Sequence, residues 1–247
     1  MNITLEEIVK FRYKIIESLK KCIKICEREL PLNSLRDSIL SKNKTNNIGI
    51  IVEYKRSSPR GIVRLDVKPD EYVEKYRNIA CGFSVLVEPY WFLGSLEYIP
   101  LIKNISKLPI LYKDFIVDEW QIDLAWYFGA DAILLIYEVL EDKIDRYVQH
   151  CLDLGLEVVL ESHDPNILIE FSKTFNDRVL LGLNSRNLKT LNVEFEKSLN
   201  NLKMLRENVK NRLIIFESGI SSLDDINNIW KLGANAVLVG TFFMKSF

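Results

Sequence analysis

The stretch PILYKDFIVDEWQIDLAWYFGADAILLIY, residues 109–137, has the pattern of a strand, a helix and a second strand. Its two ends, 109–113 and 131–137, are short and almost entirely apolar, whereas 118–130 between them has helical spacing. Gly129 stands where a helix needs a left-handed residue before the next strand begins. Strands that are apolar on both faces are typical of parallel sheets covered by helices. The stretch therefore predicts one βα unit of a parallel α/β fold.

The same kind of apolar run occurs eight times along the chain. The runs lie at 48–54, 81–87, 109–113, 131–137, 156–162, 178–184, 212–218 and 235–241. They recur after roughly 20 to 35 residues, which is about the length of one βα unit. Eight units predict a (βα)8 barrel, the TIM barrel of the α/β class. An open doubly wound sheet is the alternative, but no GxGxxG motif follows the first run and no Walker loop is present.

The length and composition favour one large domain. With 247 residues and 48% hydrophobic content, the chain can bury a full core. We expect a single barrel domain over 1–247, with a helical N-terminal extension at 1–45 and the barrel itself at 48–241. The helical pattern near the N-terminus predicts a first helix that ends at Pro31.

The charge balance argues against several classes of partner. The chain has 33 Lys and Arg residues against 34 Asp and Glu residues, which is not the basic composition of a nucleic-acid binder. Its N-terminal MNITLEEIVK is acidic where a secretory signal would be basic. No apolar run approaches the ~20 residues of a membrane span, and the four cysteines lack metal-site spacing. We therefore expect a cytoplasmic protein that binds a small molecule and no metal, membrane or nucleic acid.

Charged side chains directly follow most of the predicted strands. In a barrel the carboxyl ends of all strands meet on one face, where barrel enzymes hold their active sites. A single terminal charge is usually just solvated, but charges after six of the eight runs favour a shared site. The residues are Glu53, Lys55, Glu88, Lys113, Glu161, Asn184, Arg186 and Glu217.

The turns after the last two runs have the composition of an anion site. FESGI contains Ser218 and Gly219, and VLVGT ends in Gly240 and Thr241. Glycine lets backbone N–H groups approach an anion, and the loops after strands 7 and 8 commonly bind phosphate in such barrels. The two turns together predict a phosphate site.

The connection at 53–69 and two phenylalanines are further candidates for substrate contact. The connection includes Ser58 and five basic residues after the first strand, which suits a mobile lid over an anionic substrate and equally a solvated loop. Phe92 and Phe115 follow other strands. Packing in the core is the more common role of such rings, and stacking on an aromatic substrate is the more specific hypothesis.

Several of these segments together resemble one enzyme family. They are VEYKRSSPRG, LYKDFIVDEWQIDLAWYFGADAILLI, VVLESHD, LGLNSRNLKT, FESGI and VLVGT. In this order and spacing they closely resemble indole-3-glycerol phosphate synthase of tryptophan biosynthesis, over about residues 45–241. The resemblance implies a carboxy-lyase that closes the indole ring of 1-(2-carboxyphenylamino)-1-deoxyribulose 5-phosphate with loss of carbon dioxide and water. It also implies that no metal or organic cofactor is required.

The resemblance implies roles for the residues at the strand ends. Lys113 would be the general acid for ring closure, Glu161 the general base for dehydration, and Lys55 the partner of the anthranilate carboxylate with a share in proton transfer. The residues that would orient these groups or contact the substrate are Glu53, Asn184, Arg186, Glu217, Ser58, Phe92 and Phe115, and those that would hold its phosphate are Ser218, Gly219, Gly240 and Thr241.

Proton transfer near neutral pH favours a lysine whose pKa lies below its usual value of ~10.4. Burial and neighbouring cations lower the pKa of a lysine. We therefore expect burial, together with Lys55 and Arg186, to lower the pKa of Lys113.

Two features depart from the family pattern. Val87 and Leu93 stand where the family has polar residues, which predicts an altered wall around the substrate's ring. Only FFMKSF follows Thr241, so we expect the eighth outer helix of the barrel to be truncated or missing. We expect a monomer or a weak homo-oligomer.

Other functions stay open at this point. One is a different sugar-phosphate barrel enzyme, such as a phosphoribosyl isomerase-like protein or a Schiff-base aldolase that uses Lys113. Such an isomerase would not need the set of Glu53, Lys55, Lys113 and Glu161. Another is a catalytically inactive relative that binds a phosphate ligand.

Overall fold

The computed structural model describes residues 4–188 and 190–247. Eight parallel strands form a closed barrel in which each strand pairs with its neighbours along the chain and the last pairs with the first. The strands are β1 (Gly49–Tyr54), β2 (Gly82–Leu86), β3 (Ile110–Lys113), β4 (Ala132–Ile136), β5 (Glu157–Ser162), β6 (Val179–Asn184), β7 (Ile214–Glu217) and β8 (Ala236–Val239). The predicted (βα)8 barrel is confirmed, and each of the eight apolar runs contains one strand.

Helices precede the barrel, connect its strands and follow the last strand. They are α1 (Leu5–Cys22), α2 (Leu35–Lys44), α3 (Pro69–Tyr76), α4 (Tyr98–Ser106), α5 (Trp120–Phe128), α6 (Tyr137–Leu140), α7 (Ile144–Asp153), α8 (Pro165–Thr174), α9 (Phe195–Asn208), α10 (Leu223–Lys231) and α11 (Thr241–Lys245). The loop after β1 contains a hairpin of Ser57–Ser58 and Gly61–Ile62. Within residues 4–188 and 190–247, no helix combines the length and the apolar character needed to cross a membrane.

The barrel strands are buried on both faces, which explains why their sequences do not alternate. In β5, Val158 and Leu160 pack into the outer core between the strands and the helices. Val159, between them, points into the interior of the barrel. Successive side chains of a strand point to opposite faces, so a strand covered on both faces is apolar at every position.

The N-terminal extension closes the amino end of the barrel with α2. Leu35 and Ile39 of this helix are fully buried in the interior cluster of the barrel. The Ser34 hydroxyl and the backbone N–H of Arg36 both donate hydrogen bonds to the carboxylate of Glu157, at distances of 2.6 and 2.9 Å. Glu157 is the first residue of β5, so these bonds attach the start of α2 to the amino end of a barrel strand.

The first helix begins at a capping box of Thr4 and Glu7. The expectation that it runs to Pro31 is wrong, because α1 ends at Cys22. Beyond it, the guanidinium of Arg28 donates hydrogen bonds to backbone carbonyls at the end of α5, including those of Trp126 and Ala130 at 2.8 and 2.6 Å. These tertiary bonds hold a segment without regular secondary structure where local periodicity alone favours more helix.

The eighth strand is followed by α11, a helix of five residues that contacts α3. The Tyr76 hydroxyl donates a 2.9 Å hydrogen bond to the carbonyl of Phe243, and the two rings lie 4.9 Å apart. This contact covers part of the outer surface beside β1.

Candidate active site

A cavity of about 550 Å³ opens at the carboxyl ends of the barrel strands. All but one of the predicted site residues line it. These are Glu53, Lys55, Ser58, Phe92, Lys113, Phe115, Glu161, Asn184, Arg186, Ser218, Gly219, Gly240 and Thr241. The exception is Glu217, which lies behind the wall of the cavity.

Lys113, at the end of β3, is surrounded by three carboxylates. Its Nζ lies 2.9 Å from Glu217 Oε2, 3.7 Å from Glu161 Oε2 and 3.9 Å from Glu53 Oε2. Desolvation alone would lower the pKa of Lys113, but the charges of Glu217, Glu161 and Glu53 outweigh it and raise the pKa above its usual value. The expectation of a lowered pKa is therefore wrong. The sequence pattern indicated that the cations Lys55 and Arg186 share the rim with Lys113. In the folded chain, three carboxylates lie within 3.9 Å of its Nζ.

Glu161, at the end of β5, is a buried carboxylate with a raised pKa. Desolvation and the charge of Glu217 raise the pKa of Glu161 to about 8, although Lys113 and a hydrogen bond act in the opposite direction. That bond comes from Asn184 Nδ2 to Glu161 Oε1, at 2.8 Å. A carboxylate with such a pKa can exchange a proton near neutral pH.

Glu53 joins the two lysines of the site. Lys55 Nζ lies 2.7 Å from Glu53 Oε1, while the other oxygen faces Lys113. Burial alone would raise the pKa of Glu53, but Lys55 and Lys113 lower it below its usual value. Gly240 packs directly against this carboxylate, and any side chain at position 240 would displace it. The glycine is thus required by the close approach of a charged side chain.

Glu217 is fully buried and contacts Lys113 from below the cavity. Its Oε1 accepts no hydrogen bond from the described residues. Gly182, in the middle of β6, makes room for it, because a Cβ there would lie 2.6 Å from Glu217 Oε1. Glu217 therefore orients Lys113 and stabilises its ammonium form, and it does not form part of the cavity wall.

Asn184 and Arg186 connect the end of β6 to the loop that follows. Asn184 Oδ1 accepts a 2.8 Å hydrogen bond from the backbone N–H of Arg186. Arg186 Nη1 donates a 2.7 Å bond to the carbonyl of Leu191. Desolvation and the nearby charge of Arg60 lower the pKa of Arg186.

The turn after β7 has the backbone geometry of an anion site. Ser218 and Gly219 both have positive φ angles, 70° and 75°, so that a non-glycine residue adopts the left-handed conformation. Consecutive residues in turn conformations can direct their N–H groups at one point, which suits an anion. Gly240 and Thr241 line the same side of the cavity.

The opposite side of the cavity is aromatic and apolar. The rings of Phe92 and Phe115 lie 6.2 Å apart and are tilted by 44°. The carboxylate of Glu88 accepts hydrogen bonds from the backbone N–H groups of Tyr90, Trp91 and Phe92 and so holds the loop that carries Phe92. Apolar side chains that line other parts of the cavity include Ile8, Leu86, Leu134, Ile136, Leu188, Leu191, Ile220 and Leu238.

Val87 and Leu93 do not alter this wall as expected. Neither residue lines the cavity. Val87 is buried in the core on the helix side of the barrel, and Leu93 occupies a turn with φ 52°. The departures from the family pattern therefore lie beside the ring-binding wall and not in it.

Some residues at the site could not be recognised from the sequence pattern. Ile8 of α1 lines the cavity, and Arg12 of the same helix forms an ion pair with Asp114. Asp114 is buried and immediately follows Lys113. No local pattern marks these contacts of α1. A glycine inside a strand often marks a place where another group comes near, and Gly182 is such a signal for the position of Glu217.

The loop after β1 is anchored on two sides of the cavity mouth. The backbone N–H of Ser57 donates to the carbonyl of Phe92 at 3.2 Å. Arg60 Nη2 donates to the carbonyl of Leu191 at 3.0 Å. The loop thus contacts the connections after both β2 and β6.

Among the described residues, no group of three His, Cys, Asp or Glu side chains is arranged to hold a metal ion.

The fold and this cavity define the chain as a (βα)8-barrel protein with a charged site at the carboxyl ends of its strands, the position of the active site in barrel enzymes. The solved structure of an N-acetylmannosamine-6-phosphate 2-epimerase from Clostridium perfringens has the same fold, with a TM-score of 0.61 and 16% identity over 90% of this chain and 95% of that one. The sequence defines the family more closely. The model of the indole-3-glycerol phosphate synthase family matches residues 5–247, and the chain belongs to that family.

Two relatives illustrate the similarity. The indole-3-glycerol phosphate synthase of Pyrobaculum arsenaticum is 40% identical over 220 residues, which cover 89% of this chain and 84% of the relative. That of Campylobacter fetus is 34% identical over 250 aligned positions, which cover 98% and 94%. The match therefore extends over the N-terminal extension and the barrel alike.

Proposed function

We propose that the chain converts 1-(2-carboxyphenylamino)-1-deoxyribulose 5-phosphate into indole-3-glycerol phosphate, carbon dioxide and water. The observation that carries this proposal is the position of Lys113, whose Nζ lies 2.9 to 3.9 Å from three carboxylates beside the cavity. A charged proton donor next to a carboxylate of high pKa suits a ring closure followed by a dehydration. Family membership supports the same reaction.

The cavity offers a complementary partner for each part of this substrate. The phosphate fits the turns of Ser218–Gly219 and Gly240–Thr241, where backbone N–H groups and hydroxyls are available. The carboxylate fits Lys55, and the aromatic ring fits the side formed by Phe92 and Phe115. Holding both ends of the substrate would place its carbonyl group near Lys113, and such positioning contributes strongly to catalysis of ring closure.

Ring closure forms a bond between the carboxylate-bearing carbon of the aromatic ring and the carbonyl carbon of the ribulose. The carbonyl electron pair moves onto its oxygen, which takes a proton from Lys113. The raised pKa of Lys113 keeps it in the ammonium form until the oxygen becomes an alkoxide, which is the stronger base. The bond to the carboxylate then breaks, carbon dioxide leaves, and its electron pair restores the aromatic ring.

Dehydration completes the indole. The new hydroxyl group takes a proton from the ammonium group of Lys55, which lines the same cavity, and leaves as water. Glu161 removes a proton from the neighbouring carbon that is bonded to nitrogen. With a pKa of about 8, Glu161 is a stronger base than an ordinary carboxylate. Asn184 holds it in place through the 2.8 Å hydrogen bond to Oε1.

The electrostatics of Lys113 disfavour a Schiff-base aldolase. A lysine that attacks a carbonyl carbon must be neutral, and enzymes achieve this by lowering its pKa. Here Glu217, Glu161 and Glu53 raise the pKa of Lys113 instead.

The appearance of indole fluorescence on addition of the carboxyphenylamino-deoxyribulose phosphate tests the proposal. We expect turnover by the wild type and a loss of about 10²- to 10⁴-fold in Lys113→Met, the usual range for removal of a general acid. Lys173→Met is the matched control, because Lys173 is exposed on α8 away from the cavity. A folded wild-type protein that produces no indole would contradict the proposal. A cytoplasmic location and a monomeric or weakly associated state stay predictions.

A further inference from the structure

Arg60 joins two loops on opposite sides of the anion turns. It lies in the hairpin after β1, between Ser57–Ser58 and Gly61–Ile62. Its Nη2 donates to the carbonyl of Leu191, 131 positions further along the chain. In the closed barrel, β8 and β7 lie between β1 and β6. The contact therefore links the loops that flank the turns after β7 and β8.

Two guanidinium groups share the same acceptor at this point. Arg186 Nη1 also donates to the carbonyl of Leu191, at 2.7 Å. Two cations held side by side on one neutral oxygen repel each other, and desolvation and Arg60 lower the pKa of Arg186. An anion between them would remove that repulsion.

Among the described residues, neither arginine forms an ion pair with a carboxylate, although the charges of Glu53 and Glu161 partly oppose the lowering of the pKa of Arg186. Across residues 4–188 and 190–247, the ion pairs within the cavity involve Lys55 and Lys113. Both arginines nevertheless line the cavity, together with Ser218, Gly219 and Thr241. Those turns supply only neutral donors, whereas a phosphate monoester carries close to two negative charges at neutral pH.

We infer that Arg60 is a phosphate-binding residue of the lid, which pairs with a phosphate monoester seated on the turns after β7 and β8 and thereby holds the loop at 53–69 closed over it. The planar guanidinium is suited to this role, because its N–H groups match two phosphate oxygens at once. The identity of the full substrate rests on the proposed function, whereas the phosphate preference rests only on the charges and donors of the cavity.

Binding of inorganic phosphate tests the inference without requiring turnover. Isothermal titration of the full chain with inorganic phosphate, and separately with anthranilate, is compared for the wild type, Arg60→Gln and Arg60→Lys. We expect Arg60→Gln to weaken phosphate binding about tenfold, as for loss of one charge-assisted contact, and to leave anthranilate binding unchanged. Arg60→Lys keeps the charge but not the paired donors and should fall between the two.

Arg64→Gln is the matched control, because Arg64 belongs to the same loop but pairs with Asp66 at 2.7 Å and does not line the cavity. With the full substrate, Arg60→Gln should raise KM about tenfold with little change in kcat, since the contact does not involve the reacting atoms.

Unchanged phosphate binding in Arg60→Gln would overturn the inference, and so would an equal loss of anthranilate binding, which would indicate a general effect of charge. A wild type that binds phosphate through Arg60 but forms no indole would refute the proposed function while supporting the phosphate role of Arg60.

Discussion

Arg12 of α1 forms a buried ion pair with Asp114, the residue that follows Lys113. Asp114 also accepts hydrogen bonds from the Tyr112 hydroxyl at 3.3 Å and from Gln121 Nε2 at 3.0 Å. Desolvation lowers the pKa of Arg12, but Asp114 outweighs it and raises the pKa above its usual value. The N-terminal extension is thus attached to the barrel one residue from the central lysine of the site.

Replacement of Arg12 should destabilise the protein strongly. Arg12→Met leaves the buried carboxylate of Asp114 without its cation, and breaking a buried pair in this way lowers the free energy of unfolding by about 3–5 kcal/mol. Urea unfolding followed by circular dichroism measures the change. The double variant Arg12→Met/Asp114→Asn should recover part of the loss, because no unpaired charge is left. Equal stability of Arg12→Met and the wild type would show that the pair contributes nothing.

Glu217→Gln should shift the pH dependence of turnover. Glu161 must be ionised to act as a base, so kcat/KM rises as the pH passes through the pKa of Glu161. Glu217 is, after desolvation, the main cause of the raised pKa of Glu161. Removing its charge lowers that pKa, and we expect the rising limb of the pH profile to move to lower pH by about one unit.

The pH profile of Glu170→Gln serves as the control for this shift. Glu170 is exposed on α8 and its side chain is distant from the cavity, so the profile of this variant should match that of the wild type. A rising limb that stays in place in Glu217→Gln would show that another group controls it.

Glu161→Gln should abolish dehydration and stabilise the protein at alkaline pH. The folded-state pKa of Glu161, about 8, lies above that of an unfolded glutamate, so the folded state binds the extra proton. Stability from this group is therefore present at low pH and falls as the pH rises towards about 8. We expect the decrease in the free energy of unfolding between about pH 5 and about pH 8 to be smaller in Glu161→Gln. An identical decrease in both proteins would contradict the assigned pKa.

Gly182→Ala should impair turnover through Glu217. The added Cβ would lie 2.6 Å from Glu217 Oε1 and 3.1 Å from Val159 Cγ1, so the carboxylate beneath Lys113 must move. Overpacking of this kind costs about 1–3 kcal/mol of stability, and we expect at least a tenfold loss of kcat from the displaced charge.

Gly49→Ala is the control that separates the effect of crowding on stability from an effect on catalysis. In Gly49→Ala the added Cβ would lie 3.1 Å from Cys81 Sγ and 3.2 Å from the Cβ of Ala236, at the opposite end of the barrel. This variant should lose stability but keep its kcat. If both variants lose kcat equally, Gly182 has no specific relation to the site.

The eight apolar runs and their regular spacing along the chain were enough to predict the barrel. Eight apolar runs coincide with the eight strands, because a strand buried on both faces cannot include many polar residues. The convergence of Lys113 and Glu161 followed from the same reasoning, since parallel strands bring their carboxyl ends to one rim. Local spacing did not predict the end of α1, because the contacts of Arg28 with distant carbonyls decide it.

The order of residues along the chain is enough to show which charged residues stand at the strand ends, and hence that they share one rim of a closed barrel. The distance from each charge to the next is set by the packing of the folded chain. Electrostatic effects on a pKa depend on separations of a few ångströms, and strand order does not resolve these. That is why Lys113 has three carboxylates as its nearest charged neighbours and a raised pKa, although two cations, Lys55 and Arg186, follow β1 and β6 on the same rim.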